Sequence, residues 1–384
     1  MEHTAIAVLE VGAILLMAAG AGWLARRASL PAIVGYLIVG IAISRFTPGY
    51  VADATQVSLF AEVGAILLLF EVGIEVDLRE LRREHPAVLW AAPLQMGITF
   101  AASIIAFSTL GLQLEAAALL GVAIAMSSSV VVVNITRSRR RTTDKGTEHL
   151  LIGWSVLQDV VGVAAAIVLL SAIGASQPIE VTIVGLVVFA AVSLAGAWLL
   201  PRILASLRSE PDLFLAVSVA TGLTVAGIGA VLAGIPLALA AFVGGLTISE
   251  GPVASEARKR LLPFRDLFAI FFFVAIGTLI DPTALFSRGL GWLALCLGLV
   301  VLGKVAVVAL LAHWSRLPAN AAQLGVGLGQ IGEFGFVLAT VAVARGVLPA
   351  EVYAALLAAV AISIAASSIL VRFVRQAAPS PISA

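Results

Sequence analysis

Three ionisable side chains lie inside apolar stretches where water should not reach them: Asp159 in GWSVLQDVVGVAAA, Lys304 in VLGKVAVV and Glu333 in GQIGEFGF. A charge near the middle of a bilayer costs several kcal/mol or more, so such groups are functional candidates by default. Asp159 is the strongest, with Gln158 beside it and about ten residues of mostly apolar chain on either side. Burial penalises a bare carboxylate and a nearby cation favours it. A carboxyl group held between those pressures can trade a proton for a metal cation. Two runs of small or polar residues share its depth. Ser127-Ser128-Ser129 is the middle of one apolar segment, and Gly329-Gln330-Ile331-Gly332 is the middle of another, which also carries Gly325, Gly327 and Gly335. Such runs either let helices pack closely or mark interrupted helices whose free backbone groups surround a hydrated ion. With charged residues at the same depth, interruption of both segments is the expectation.

The elements that position these residues follow from composition. Of the 384 residues, 61% are apolar and 12% charged, against roughly a quarter charged in soluble domains. The chain is therefore solvated by lipid, and at about 20 residues per crossing it has room for roughly a dozen helices. A large soluble catalytic or nucleic-acid-binding domain is excluded, and a net charge of +1 offers no footprint for a polyanion. Cys296 is the single cysteine, and His3, His85, His149 and His313 are scattered near predicted helix ends, so no zinc cluster or disulfide framework is expected, and no cofactor. The first apolar stretch follows Glu2 and His3 without the basic start of a signal peptide and reads as a membrane helix.

Charged or Pro/Gly-marked breaks divide the sequence into thirteen predicted helical segments, at about 5–25, 31–44, 55–75, 86–109, 115–136, 149–173, 179–205, 211–232, 236–249, 259–280, 289–313, 320–344 and 350–374. Nineteen of the 23 Lys and Arg residues fall in loops after odd-numbered segments, in the C-terminal tail or in the segment ends that border them, whereas even-numbered loops hold only Arg45, Arg288 and Arg345. Basic residues accumulate on the cytoplasmic side, which predicts an external N-terminus and a cytoplasmic C-terminus.

The two halves repeat. Pro31, Gly40 and Ser44 recur as Pro236, Gly245 and Ser249 at an offset of 205, and Gly73 and Asp77 recur as Gly277 and Asp281 at 204. Gly121-Val122 likewise pairs with Gly325-Val326. Matched segments are seven apart, an odd number, so they cross the membrane in opposite senses: an inverted six-helix repeat joined by the seventh segment. Inverted repeats are characteristic of secondary transporters.

Other embedded acids carry less. Glu10 and Glu62 have no charged partner at matching depth, Glu71 is within reach of the cytoplasmic end of its segment, and Glu75, Asp77, Glu80 and Glu84 with Arg79, Arg82 and Arg83 read as a solvated loop. The basic run Arg137 to Arg141 sets topology, and Phe271, Phe272 and Phe273 read as lipid-facing or packing residues.

LPAIVGYLIVG at 30–40, LLLFEVGIEVD at 67–77, LQDVV at 157–161, LLPFRDLFAIFFFVAIGTLID at 261–281 and GQIGEFGFVLA at 329–339 resemble the membrane domain of Kef-type potassium/proton antiporters, in the monovalent cation:proton antiporter 2 superfamily. The resemblance implies an all-α polytopic membrane protein with a sodium/proton-antiporter-like fold and two broken, crossing helices. It implies a dimerisation panel over 1–85 and 211–285, an ion-translocating core over 86–178 and 286–375, and a linker helix over 179–210. It makes Asp159 the carrier of proton or cation, Lys304 the core lysine, and Gln330 and Glu333 the polar pair of the second broken helix. Kef proteins usually continue into a nucleotide-binding regulatory domain, which this sequence does not include, leaving room for a separate cytoplasmic regulatory subunit. Ser127-Ser128-Ser129 has a third serine where relatives commonly have threonine.

The expected mechanism is alternating access. A proton and a monovalent cation, K+ or Na+, compete at Asp159, helped by Gln158, Ser127, Ser128 and Ser129, with Lys304, Glu333 and Gln330 as charged and structural support. Related antiporters with two adjacent aspartates are associated with electrogenic exchange. Gln158 in place of the first acid leaves one titrating charge, so electroneutral 1:1 exchange is expected from a homodimer in a prokaryotic inner membrane. The competing readings are a sodium-coupled organic-anion symporter on the same fold, for which Lys304 alone is thin support, and a channel-like K+ efflux pathway gated by a partner. An intramembrane aspartyl protease would need a second embedded aspartate beside Asp159, and the sequence has none.

Overall fold

The computed structural model of the chain describes residues 2–28, 30–48, 54–76, 84–137, 143–173, 179–249 and 252–374. Asp77, Arg79, Glu80, Arg82, Arg83, Arg139, Arg140, Arg141 and Arg375, which carry part of the repeat and of the loop charge, lie outside those residues. Among the described residues every regular element is helical, as lipid requires of an open chain that must satisfy its own backbone. Nine helices there are long and apolar enough to cross a membrane.

In chain order the helices are α1 (Glu2–Arg27), α2 (Ala32–Ala42), α3 (Ala54–Glu75), α4 (Pro86–Thr109), α5 (Leu114–Ala125), α6 (Ser129–Arg137), α7 (Lys145–Ile173), α8 (Ile179–Ser206), α9 (Pro211–Ala233), α10 (Leu237–Leu246) and α11 (Pro252–Thr278). There follow α12 (Pro282–Trp314), α13 (Ala321–Gly327), α14 (Phe334–Ala344) and α15 (Ala350–Leu370). The single segments expected at 115–136 and 320–344 are each two helices, α5 with α6 and α13 with α14. Helix α11 begins seven residues before the expected 259, because its early charges are paired (Arg260 with Glu256, one turn apart at 2.7 Å) and so do not break it. Helix α12 begins at Pro282 rather than 289, where Asp281 Oδ1 accepts from the backbone N–H and the hydroxyl of Thr283. It contains two π-helical stretches, Leu285–Gly289 and Leu299–Val305.

The chain forms two compact units. The first comprises Met1–Ala28, Ala32–Arg82 and Val163–Thr283. Here the repeated glycines have a physical cause. A methyl group on Gly40 would overlap the carbonyl oxygen of Val274 and lie 2.7 Å from Gly277 Cα, and one on Gly73 would overlap the carbonyl oxygen of Phe242 and lie 2.9 Å from Gly245 Cα. The α2–α11 crossing and the α3–α10 crossing are thus the same contact made twice by the repeat, each closing backbone to backbone through one glycine from either half. Phe70 fills the space beside Gly222, and Ile66, Leu67 and Ile74 pack with Phe214, Ala241 and Ile248. Phe271, Phe272 and Phe273 are all buried, and Phe271 stacks on Phe60 at 5.0 Å.

The same unit sharpens one reading and corrects another. Glu71, expected within reach of the cytoplasmic end of its segment, is fully buried and pairs with Arg258 at 2.5 Å and Arg265 at 2.8 Å. Glu75, expected in a solvated loop, is the last residue of α3 and pairs with Arg258 at 2.7 Å. The partners come from α11, some 190 residues away, so nothing local to α3 announces them.

The second unit comprises Ser29–Pro31, Arg83–Gly162 and Ala284–Ala384. Helix α4 starts on Pro86, where His85 Nδ1 accepts from Ala87 N, and α13 starts on Asn320, whose Oδ1 accepts from Ala322 N and Gln323 N. The starts of α7 and α13 are tied together: Asp144 accepts from the backbone and hydroxyl of Thr147, and Thr147 Oγ1 accepts from Asn320 N at 3.0 Å.

Candidate functional site

All eight residues singled out from the sequence as ion-binding or supporting fall in the second unit, and all are buried. Both expected interruptions are present. Residues 126–128 are non-helical between α5 and α6, and residues 328–333 between α13 and α14. The two breaks lie against each other. Gly332 N donates to Met126 O at 3.1 Å, Ser127 Oγ to Leu328 O at 2.8 Å, and Ser128 N to Gln330 Oε1 at 3.2 Å. A Cβ on Gly332 would sit 2.7 Å from Ser127 O, so glycine is what allows the approach.

An interrupted helix exposes amides and carbonyls that must find partners out of water. Here the partners are nearly all polar side chains of the same unit. Ser128 Oγ accepts from Val131 N at the start of α6, Ser363 Oγ accepts from Ile331 N, and Ser367 Oγ donates to Val326 O. Gln330 Nε2 donates to Ser128 O at 3.3 Å and Gly327 O at 3.2 Å, so this side chain stitches the two breaks from both ends of its amide.

Lys304 lies in the second π-helical stretch of α12 and is fully buried. Its ammonium has three N–H donors, and they reach three carbonyls: Ile124 O at 3.1 Å, Met126 O at 2.6 Å and Gln330 O at 2.6 Å. These oxygens belong to the C-terminal end of α5 and to the break after α13, where helix dipoles place partial negative charge. Met126 and Gln330 are themselves repeat mates at the offset of 204, whereas the mate of Lys304 is Phe100. The lysine therefore sits where the repeat's symmetry is broken. It also interacts electrostatically with Asp159.

Asp159 is 1% exposed on α7. Its neighbour Gln158 accepts from Ser127 N at 3.2 Å, and one turn further on Met126 packs over Gly162, which places this stretch of α7 at the level of the first break. Of the three serines, Ser127 and Ser128 spend their hydroxyls on the breaks, whereas Ser129 Oγ is buried without a hydrogen-bond partner among the described residues. Glu333 is buried immediately before α14.

Three residues that the sequence reading missed complete the polar interior. Gln95 Oε1 accepts from Gln158 Nε2 at 2.5 Å and from Trp154 Nε1 at 3.4 Å, and Gln95 Nε2 donates to Thr99 Oγ1 at 2.9 Å. Thr99 Oγ1 reaches Gly303 O at 2.5 Å, beside Lys304. The available signal was spacing: Gln95, Thr99 and Ser103 recur every fourth residue along α4 and share one face of an otherwise apolar helix.

Comparison with known proteins decides the family. The family model for the transmembrane sodium/hydrogen exchangers matches residues 13–376. The chain belongs to the sodium/hydrogen exchanger family. Among similar exchanger relatives, YbaL of Escherichia coli (strain K12), assigned as a cation/proton antiporter, is 30% identical over 364 residues, 91% of this chain and 65% of that protein. The glutathione-regulated potassium-efflux system protein KefC of Escherichia coli O81 (strain ED1a) is 31% identical over 387 residues, 96% of this chain and 60% of that protein. The chain thus spans less than two thirds of the length of either relative. The sodium proton antiporter MjNhaP1 of Methanocaldococcus jannaschii has the same fold, with a TM-score of 0.75 at 18% identity over 97% of this exchanger-family chain and 99% of that one. The protein is an all-helical integral membrane protein of a transporter family.

Proposed function

We propose that this exchanger-family chain is a secondary-active antiporter that swaps a monovalent cation, K+ or Na+, for a proton. Asp159 carries either ligand by alternating access. The observation that carries the reading is a buried carboxylate one residue from an amide bonded to the first break, on whose far side Ser129 has a buried hydroxyl with no hydrogen-bond partner among the described residues. A dehydrated monovalent cation needs oxygens of this kind, and a carboxylate that loses the cation can take a proton instead. Ser127, Ser128 and Gln158 shape the site through the backbone they hold. Lys304, Gln330 and Glu333 keep the crossing together, and the lysine's charge balances Asp159 between ligands. With Gln158 neutral, one charge moves each way, giving electroneutral 1:1 exchange.

The second unit, with both breaks, is the translocating body in this reading, and the first is the panel through which two copies associate. YbaL and KefC, named respectively for cation/proton antiport and potassium efflux, support the substrate class. The chain would lie in a prokaryotic plasma membrane with its N-terminus outside, and a separate cytoplasmic regulatory subunit would fit the same scheme. Proton flux in proteoliposomes, with Na+, K+, Rb+ or Li+ as the only cation, tests it. Cation-dependent flux should disappear in Asp159→Asn, and exchange that survives refutes the carrier assignment. Cation flux without proton coupling would instead favour a conducting pathway.

A further inference from the structure

The hydrogen-bond chain around Gln95 has a fixed polarity. The indole of Trp154 is a donor only, so the Gln95 atom facing it at 3.4 Å is the oxygen. The other end of the amide then faces Thr99 Oγ1 and, at 3.5 Å, Ala125 O, which can only accept. Whatever residue 158 turns toward Gln95 Oε1 must therefore donate, and whatever it turns toward Ser127 N must accept. Gln158 does both. Gln95, Thr99, Trp154, Gln158 and Ser127 are all fully buried, so water cannot substitute for a missing partner.

We infer that Gln95, locked in orientation by Trp154, is a positioning residue that admits only a neutral donor at position 158 and so restricts the site to one titrating carboxyl group. The inference rests on the antiport reading and deepens it by assigning the device that sets the charge moved per cycle. A carboxylate at 158 would put two acceptors face to face, at the 2.5 Å that now separates Gln158 Nε2 from Gln95 Oε1. A glutamate there can keep the network only as the neutral acid, its O–H replacing the amide N–H. The charged residues nearby do not remove this constraint. Lys304 has all three donors on backbone carbonyls, and Asp159, the next residue on α7, adds negative charge. Replacing Trp154 by Phe removes the donor that locks Gln95. The amide can then turn its NH2 toward a carboxylate at 158, while the Thr99 hydroxyl swings its single proton from Gly303 O to the displaced oxygen, against the weak opposition of Ala125 O at 3.5 Å.

The test is the membrane-potential dependence of exchange in proteoliposomes carrying wild type, Gln158→Glu, Trp154→Phe, and the double variant W154F/Q158E. Wild type, Trp154→Phe and Gln158→Glu should all exchange independently of potential. The double variant should gain one net charge per cycle, so that about 59 mV shifts its equilibrium cation gradient about tenfold. A potential-dependent Q158E, or a double variant that remains electroneutral, overturns the inference. Infrared spectra of purified Q158E give an answer even if that variant does not transport. A protonated-acid band absent from wild type and persisting at alkaline pH is expected, and a carboxylate band in its place overturns the inference. Loss of the antiport reading is recognised separately, by wild-type flux that is uncoupled from protons or survives Asp159→Asn.

Discussion

Lys304→Met and Lys304→Gln together measure what the buried lysine does for the crossing. Methionine strands three buried carbonyls, those of Ile124, Met126 and Gln330. Each unsatisfied buried acceptor costs about 1–3 kcal/mol, so the gross penalty is about 3–9 kcal/mol. Removing the ammonium also removes its own burial cost, which is several kcal/mol, and this obscures any comparison with wild type. Both variants are neutral, however, so that contribution cancels between them. Glutamine retains two N–H donors and can satisfy two of the three carbonyls. Its side chain is one bond shorter than lysine and brings an amide oxygen of its own that needs a donor, which sets the expected advantage of K304Q over K304M at the lower end, about 1 kcal/mol. Thermal unfolding of the purified proteins in detergent, followed by tryptophan fluorescence, reads the difference as a higher midpoint for K304Q. K304M melting at or above K304Q would show that the ammonium does not hold the two breaks through hydrogen bonds.

Two further substitutions test the other devices of the fold. Gly73→Ala and Gly277→Ala each place a methyl group on a backbone carbonyl, Phe242 O and Leu37 O respectively, so each should destabilise by about 1–3 kcal/mol. Gly97→Ala in α4, which meets nothing within 4 Å, should be neutral or slightly stabilising in the same melting assay. At Asp144, outside the membrane-spanning helices, partial burial pushes the carboxyl up, but hydrogen bonds from the Thr147 backbone N–H and hydroxyl, with those from the backbone of Asp144 and Gly146, together outweigh it and hold the group below its ordinary value of 3.8. A carboxyl lowered by folding stabilises above its unfolded value and loses that contribution as pH falls through its folded one. Asp144→Asn should therefore melt lower than wild type at pH 7, with the gap closing below pH 3.8, and a gap unchanged in acid would count against a charge-held joint.

Much of the architecture was legible because lipid imposes simple demands on sequence. Apolar runs had to be helices, and the only devices that interrupt such runs are few and visible, here Ser127-Ser128-Ser129 and the glycines around Gln330. The repeated glycines at 40, 73, 245 and 277 were legible as a repeat, yet their purpose was not. Only the packed structure pairs Gly40 with Gly277 and Gly73 with Gly245, since a close approach depends on which helix lies opposite. Asp159 and Lys304 stood out by charge alone. That the lysine's three donors go to three carbonyls could not be read from sequence, because those oxygens become available only where two helices break at the same place.

The sequence by itself determined the solvent, the helical class and the short list of buried polar residues, since each follows from residue type and spacing along the chain. Tertiary structure decided the partners. Glu71 became a buried ion pair because α11 brings Arg258 and Arg265 against it, and Gln95 became part of the polar interior because α7 turns Trp154 and Gln158 toward it. Hydrogen bonds and ion pairs are satisfied by whatever lies within about 3 Å in space, and that distance has no counterpart along the sequence.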